Sequence, residues 1–377
     1  RYRLMKGLYI HIPLCISRCR YCDFYKVTPN QWSGADRFLA ALDRELASLP
    51  DTFQPDTLFI GGGTPSALST NELEHLLTLI NERVSLDQVI ESTIEANPNS
   101  LDMEKLSVFK QGGIRRVSIG VQTFQSTALK LLGRAHNRNQ SIQAFERARA
   151  AGFDQINIDL IQAVPGLSDV QRMDDVDQIL KLQPDHISYY NLIYEPGTPL
   201  TRDRDQGKLC LLSDDEEAAL YEKIATRLQD AGYEHYEISN FSKENQACLH
   251  NINYWKGGEY IGCGPSAHSH WEGDRYSNMA DLQAYCERLE AEQNIVEMRE
   301  HLEPMAKARE TLVMWLRLSE GVSRHSFAST SGITVDELYT HEIDELIGHG
   351  LLEWHQDVLR IPMEKRFISD AVYSALV

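Results

Sequence analysis

Along the 377-residue chain, hydrophobic positions follow two periods in turn. Short apolar or β-branched runs at 8–12, 57–61, 91–96, 116–121, 155–161 and 186–193 read as strands. Amphipathic stretches at 36–49, 71–84, 104–110, 142–151, 170–182 and 216–231 follow them with the period of a helix. Six strand–helix pairs in sequence predict a mainly parallel α/β sheet with right-handed crossovers. Six units fall short of the eight that close a full barrel, so the expected architecture is an open, partial (β/α)6 TIM-like barrel. Chemistry in such barrels sits at the C-terminal strand ends, where this chain places its Gly-, Cys- and Glu-bearing segments.

The punctuation agrees with that reading. Ser69-x-x-Glu72, Ser213-x-x-Glu216 and Thr334-x-x-Glu337 are capping boxes, and Gly112, Gly152 and Gly232 fall where helices should end. From about 195 to 290 the periods fade into a region rich in aromatic residues, His and Gly. A helical run at 306–318 and two short runs at 351–354 and 358–361 around His355-Gln356-Asp357 predict a helical, winged-helix-like C-terminal module. The expected division is 1–230, a partial barrel; 231–300, an irregular extension; and 301–377, the C-terminal module.

Charge and cysteine usage narrow the function. With 55 acidic against 37 basic side chains the net charge is −18, which repels nucleic-acid backbones and anionic lipid. No stretch approaches the ~18–20 consecutive apolar residues of a membrane helix, and no signal-peptide pattern precedes the first strand. A cytoplasmic protein is therefore expected. Of seven cysteines, Cys15, Cys19 and Cys22 cluster and four are scattered. In a reducing compartment the cluster reads as metal ligation and the others as small apolar residues.

Cys15-x-x-x-Cys19-x-x-Cys22 follows the first strand directly. Three thiolates on one short loop suit three irons of a cubane cluster, whereas a structural zinc site wants four ligands. The fourth iron is then free to hold a small chelating molecule. Gly61-Gly62-Gly63-Thr64-Pro65 closes the second strand, either as a plain turn or as a place where backbone approaches a ligand. Glu95, Gln122 and Asp159 stand at the ends of strands three, four and five, where a carboxylate can accept from a ribose or an α-ammonium group. Arg134 reads as a cap or as a bidentate partner for a carboxylate. His250-Asn251-Ile252-Asn253-Tyr254-Trp255 offers an imidazole beside two flat aromatic faces, or a loop cap beside core filler.

Taken together these segments resemble the radical-SAM proteins of the coproporphyrinogen dehydrogenase-like group, most closely the HemW-type haem chaperones. The resemblance runs from Tyr9 to the C-terminal module. It implies a [4Fe-4S] cluster on Cys15, Cys19 and Cys22, and S-adenosylmethionine held by Tyr9, Tyr21, Gly62, Gly63, Thr64, Glu95, Gln122, Arg134, Asp159 and Ile193. It also implies haem at His250, Asn251, Tyr254 and Trp255, with Cys263 and His268 as fallback iron ligands. Two departures stand out. Relatives carry an aromatic and Gly where this chain has Gln162-Ala163, and the dehydrogenases carry an extra Cys where it has Phe24. The reading that follows is a haem chaperone delivering haem to respiratory proteins, a homodimer, cytoplasmic or peripheral at the inner membrane, with no residue assigned as catalytic. The alternatives are oxygen-independent coproporphyrinogen III dehydrogenation and a radical methyltransferase or cyclopropanase chemistry needing two S-adenosylmethionine molecules.

Overall fold

The computed structural model describes residues 4–32, 34–339 and 341–377. Strands β1 (Lys6–Ile12), β2 (Thr57–Gly62), β3 (Glu91–Ala96), β4 (Arg116–Gln122), β5 (Gln155–Gln162) and β6 (His186–Asn191) lie side by side in that order, all parallel. Helices α1 (Ala35–Ala47), α2 (Thr70–Arg83), α3 (Met103–Gln111), α4 (Ser126–Leu132), α5 (Arg138–Ala150) and α6 (Asp169–Leu182) connect them, and α7 (Pro199–Asp205) and α8 (Asp214–Asp230) follow. The strands are buried on both faces because helices cover one side and the barrel interior fills the other. Leu8, Ile10 and Ile12 are wholly buried, while the alternating Tyr9 and His11 meet each other at 3.1 Å.

Local signals account for the helix ends. The hydroxyl of Ser69 accepts from the Glu72 amide, and the Glu72 carboxylate accepts from Ser69 N at 2.6 Å; Ser213 and Glu216 repeat the pattern. The turn after α3 uses its two glycines differently. Gly113 takes positive φ (89°), whereas Gly112 keeps an ordinary φ and is small because a Cβ would lie 2.5 Å from Leu77.

The stretch without a clear period is more ordered than its pattern predicts. It holds β7 (Glu234–His235), β8 (Asn240–Ser242), α9 (Leu249–Trp255), β9 (Glu259–Cys263), β10 (His268–Trp271), β11 (Asp274–Asn278), α10 (Leu282–Glu290) and β12 (Val296–His301). β9 pairs parallel with β1 on the far side from β2, and β10, β11 and β12 continue antiparallel beyond it. β8 and β7 extend the opposite edge, antiparallel to β6. The result is one open twelve-stranded sheet. These added strands are short and largely polar, so no period-2 pattern announces them.

The remaining chain folds around a second core. It comprises α11 (Pro304–Trp315), β13 (Val322–Ser323), α12 (Arg324–Ser331), α13 (Val335–Leu338), α14 (Glu342–Gly348), β14 (Glu353–His355), β15 (Val358–Arg360) and α15 (Ser369–Leu376). Leu312, Phe327, Leu359 and Val372 are fully buried there, and β13 makes the expected hairpin a three-stranded sheet. Ile252 and Trp255 of α9 pack against this core, so α9 is held between barrel and module. Among the described residues no helix is long and apolar enough to cross a membrane.

Candidate functional site

A cleft opens at the C-terminal ends of the parallel strands. Cys15, Cys19 and Cys22 line it together with Tyr21, Gly62, Gly63, Thr64, Glu95, Gln122, Arg134 and Asp159. The cysteine loop is closed at its base: Cys15 N donates to Val27 O (2.9 Å) and Val27 N to Pro13 O (2.7 Å). Each thiol has a polar neighbour. Cys15 Sγ lies 3.5 Å from Thr64 Oγ1, Arg134 Nη1 donates to Cys19 Sγ at 3.3 Å, and Lys26 Nζ donates to Cys22 Sγ at 3.3 Å. Burial pushes the Cys15 thiol upward, against the Thr64 contact.

The glycine turn is shaped for close approach. Gly63 N donates to Ile12 O (2.8 Å), and a Cβ there would lie 2.7 Å from Leu14 O. Gly62 has φ +105°, and a Cβ would meet His11 Nδ1 at 2.6 Å. Its amide donates to Glu95 Oε2 at 3.2 Å. Enclosure, reinforced by the nearby Asp159 charge, pushes the Glu95 carboxyl up to about 8. Asp159 accepts from Ser118 Oγ (3.2 Å) and Asn157 Nδ2 (2.7 Å), with burial again raising its pKa.

Gln122 sits at a register shift with φ +69°, its Oε1 accepting from the Tyr190 hydroxyl at 2.8 Å. Arg134 donates from Nη2 to Asn97 Oδ1 and Gly120 O, both at 2.6 Å, while its buried Nε has no partner among the described residues. Two expected contacts do not reach the cleft walls. Tyr9 sits deeper in the interior, and Ile193 lies past the end of β6, 65% exposed. Asn97 and Lys26 were not singled out from sequence, yet Asn97 ties Thr64 to Arg134 and Lys26 faces Cys22. The Asn97-Pro98 step after a strand is the signal that marks the first. At the departure from pattern, Ala163 holds φ +57°, a left-handed conformation that favours Gly.

The haem-type hexapeptide lies at the other end of the barrel. α9 caps the N-terminal ends of β1, β2 and β3, where Glu91 Oε1 accepts from His250 N (3.0 Å) and Oε2 from Leu249 N (2.9 Å). Glu91 is also ion-paired with Arg116 at 3.3 Å, both side chains only 3% exposed. His250 is a buried core side chain: Nδ1 meets Thr57 Oγ1 and Nε2 meets the Tyr254 hydroxyl, both at 2.8 Å, and its ring stacks on Phe59. Burial lowers its imidazole to about 3. As placed, His250 offers iron no free nitrogen. Tyr254 and Trp255 instead line a cavity of about 390 Å³ between barrel and C-terminal module. Neither fallback ligand faces that cavity: Cys263 is fully buried elsewhere and His268 is exposed.

An open parallel barrel with three cysteines after its first strand, above a glycine turn and a ring of polar strand ends, defines a radical-SAM protein. The cations of Arg134 and Lys26 beside the thiols fit a cluster whose thiolate ligands bring negative charge. Comparison with known proteins agrees: residues 9–179 match the Radical SAM superfamily and residues 302–366 the HemN C-terminal domain. The chain is 34% identical to the Heme chaperone HemW of Bacillus subtilis, covering 99% of both chains. It is 38% identical to that of Lactococcus lactis over 94% of this chain and 92% of the relative. Its fold is similar to the solved coproporphyrinogen III oxidase (HemN) from Escherichia coli, with a TM-score of 0.85 and 20% identity over 99% of this chain and 90% of that one. The chain belongs to the HemW family of the radical SAM superfamily. Membership of that superfamily implies a [4Fe-4S] cluster and S-adenosylmethionine as cofactors.

Proposed function

We propose that this chain is a haem chaperone: it binds haem, carries a [4Fe-4S] cluster with S-adenosylmethionine, and hands haem to respiratory client proteins. Cys15, Cys19 and Cys22 hold the cluster, with Arg134 and Lys26 offsetting the thiolate charge. Gly62, Gly63 and Thr64 present backbone to the methionine end of the cofactor, and Glu95, Gln122, Asp159 and Tyr21 face the rest of it. A reduced cluster of this kind supplies one electron to a bound sulfonium.

The observation that carries the chaperone reading is the separation of two sites. The cysteine cleft lies at one end of the barrel and the cavity walled by Tyr254 and Trp255 at the other. The likeness to the two Heme chaperone HemW relatives over nearly the whole chain supports it. So does Phe24 in place of the dehydrogenases' extra cysteine, 67% exposed at the mouth. The similarity to the coproporphyrinogen III oxidase bears on the fold alone. Haemin titration of the anaerobically reconstituted protein, run beside an assay for coproporphyrinogen III conversion, tests the reading. Haem binding without conversion is expected, and conversion would overturn it.

The same reading includes a homodimer, for which Ile16 and Phe24 supply an exposed apolar rim beside the cluster loop. It also includes a cytoplasmic location with peripheral contact at the inner membrane, where respiratory clients reside. Light scattering with and without the cluster, and fractionation of cells, check these two points.

A further inference from the structure

We propose that His186 and Tyr236 are positioning residues for Asp159, setting from the N-terminal end of the barrel how that carboxylate meets the adenosyl cofactor. The cofactor contact of Asp159 rests on the function proposed above; the new element is what fixes its orientation. Asn157 and Asp159 alternate onto one face of β5, and the parallel pairing puts His186 beside Asn157 and Ser188 beside Asp159. Asn157 and His186 are both buried. The Asn157 amide lies 2.7 Å from Asp159 Oδ1 on one side and 2.7 Å from His186 Nδ1 on the other.

Which way that amide faces is decided at Tyr236. Its hydroxyl has two hydrogen-bond neighbours among the described residues, the Cys248 amide at 3.2 Å and His186 Nε2 at 2.7 Å. The amide can only donate, so the tyrosine's own proton goes to Nε2. A neutral imidazole then carries its proton on Nδ1 and gives it to Asn157 Oδ1, which turns Nδ2 toward Asp159. Burial, and after it the Arg116 charge, keeps the ring neutral by lowering its pKa well below the usual value. The carboxylate end demands the same sense. An ionised Asp159 only accepts, and Ser118 donates to its second oxygen at 3.2 Å. With the amide reversed, two oxygens would face each other at 2.7 Å and the imidazole N–H would meet another N–H. Cys248 is the residue that opens α9, so the hydrogen bonds run from the start of that helix to a wall of the cysteine cleft.

The test uses the full reconstituted protein. Nitrogen-15 spectra of labelled histidine should show His186 neutral with its proton on Nδ1. A ring protonated on Nε2 alone overturns the proposal without any variant having to fold. Tyr236→Phe keeps the aromatic ring and removes the proton that fixes the tautomer. It should weaken S-adenosylmethionine binding about threefold to tenfold by calorimetry, with cluster iron unchanged. Asp159→Asn is measured beside it, and the two are combined. A residue acting through Asp159 adds nothing once that carboxylate is gone, so the double variant should bind the cofactor as Asp159→Asn does. A merely structural tyrosine would show no such coupling. If Asp159→Asn weakens binding but Tyr236→Phe does not, or weakens it equally in both backgrounds, the positioning role is overturned and the cofactor contact of Asp159 stands. If Asp159→Asn binds as tightly as wild type, both fall.

Discussion

The same six strands end in two different kinds of surface. At their C-terminal ends Gly62 and Gln122 hold positive φ, Arg134 Nε has no partner among the described residues, and Glu95 and Asp159 share an enclosure that disfavours both charges. At the N-terminal ends of β1–β3, Glu91 takes amides from α9 and the guanidinium of Arg116, and both nitrogens of His250 are occupied. A column of hydrogen bonds links the two: Asp159 to Asn157 (2.7 Å), Asn157 to His186 (2.7 Å), and His186 to Tyr236 (2.7 Å), whose hydroxyl accepts from Cys248 N just before α9. The lesson is that a motif rich in chemically able side chains can be there for closure. Positive φ at Gly62 and Gln122 and the enclosed Glu95 and Asp159 carboxyls, rather than residue types, mark off the cysteine end.

The contrast is sharpest when each end is broken in turn. The largest effect is expected at the mouth, where Cys→Ser at 15, 19 or 22 should abolish the oxygen-sensitive cluster absorption after anaerobic reconstitution. Cys210→Ser, at an exposed cysteine away from the cleft, should leave iron content unchanged. A triple serine variant that kept its iron would refute the site.

Next comes the floor. Glu91→Ala leaves Arg116 as an uncompensated buried charge and frees two α9 amides, so it should cost about 3–5 kcal/mol of stability. Denaturant midpoints measure this. A shift below about 1 kcal/mol would mean that the floor is not the closed end described here.

Glu95→Gln is the third test and should reverse the pattern, lowering affinity for S-adenosylmethionine about tenfold to a hundredfold while leaving the cluster in place. Calorimetry reads the affinity. The same variant carries a pH signature in ligand-free protein. Folded Glu95 keeps its proton up to about 8, whereas the ordinary carboxylate value is 4.5. Between those values the folded state binds more protons than the unfolded one, so stability falls as pH rises. Glu95→Gln should flatten that fall, and an unaltered pH profile would place the titration elsewhere. The smallest effect lies outside both sites: Ser69→Ala removes a helix cap and should cost about 1 kcal/mol with no change in ligand binding.

Legibility in the sequence followed the same division. The six parallel strands were readable because burial on both faces makes continuous apolar runs, and the helix starts because capping boxes are local. The cysteines, Gly62, Gly63, Glu95 and Asp159 were readable because strand ends converge in a parallel barrel. β9 and its antiparallel neighbours were not, since Glu259–Cys263 is a short run containing Gly with no alternation. The place of the hexapeptide was hidden too. Its residues are visible in the sequence, but which end of the sheet receives them depends on α9 docking under β1.

The parallel pairing of β9 with β1 has a temporal consequence. β1 carries the cysteine loop and emerges early, yet the edge that Lys6 and Gly7 present is completed only when Glu259 and Tyr260 arrive. At ~5–20 residues per second of synthesis that edge waits roughly ten seconds to a minute. Throughout that interval the nascent chain exposes an unpaired strand, a template for association with other chains. A ribosome-bound intermediate stopped before β9 should therefore recruit chaperones or aggregate, and release from that state should coincide with protection of the β1 amides from hydrogen exchange.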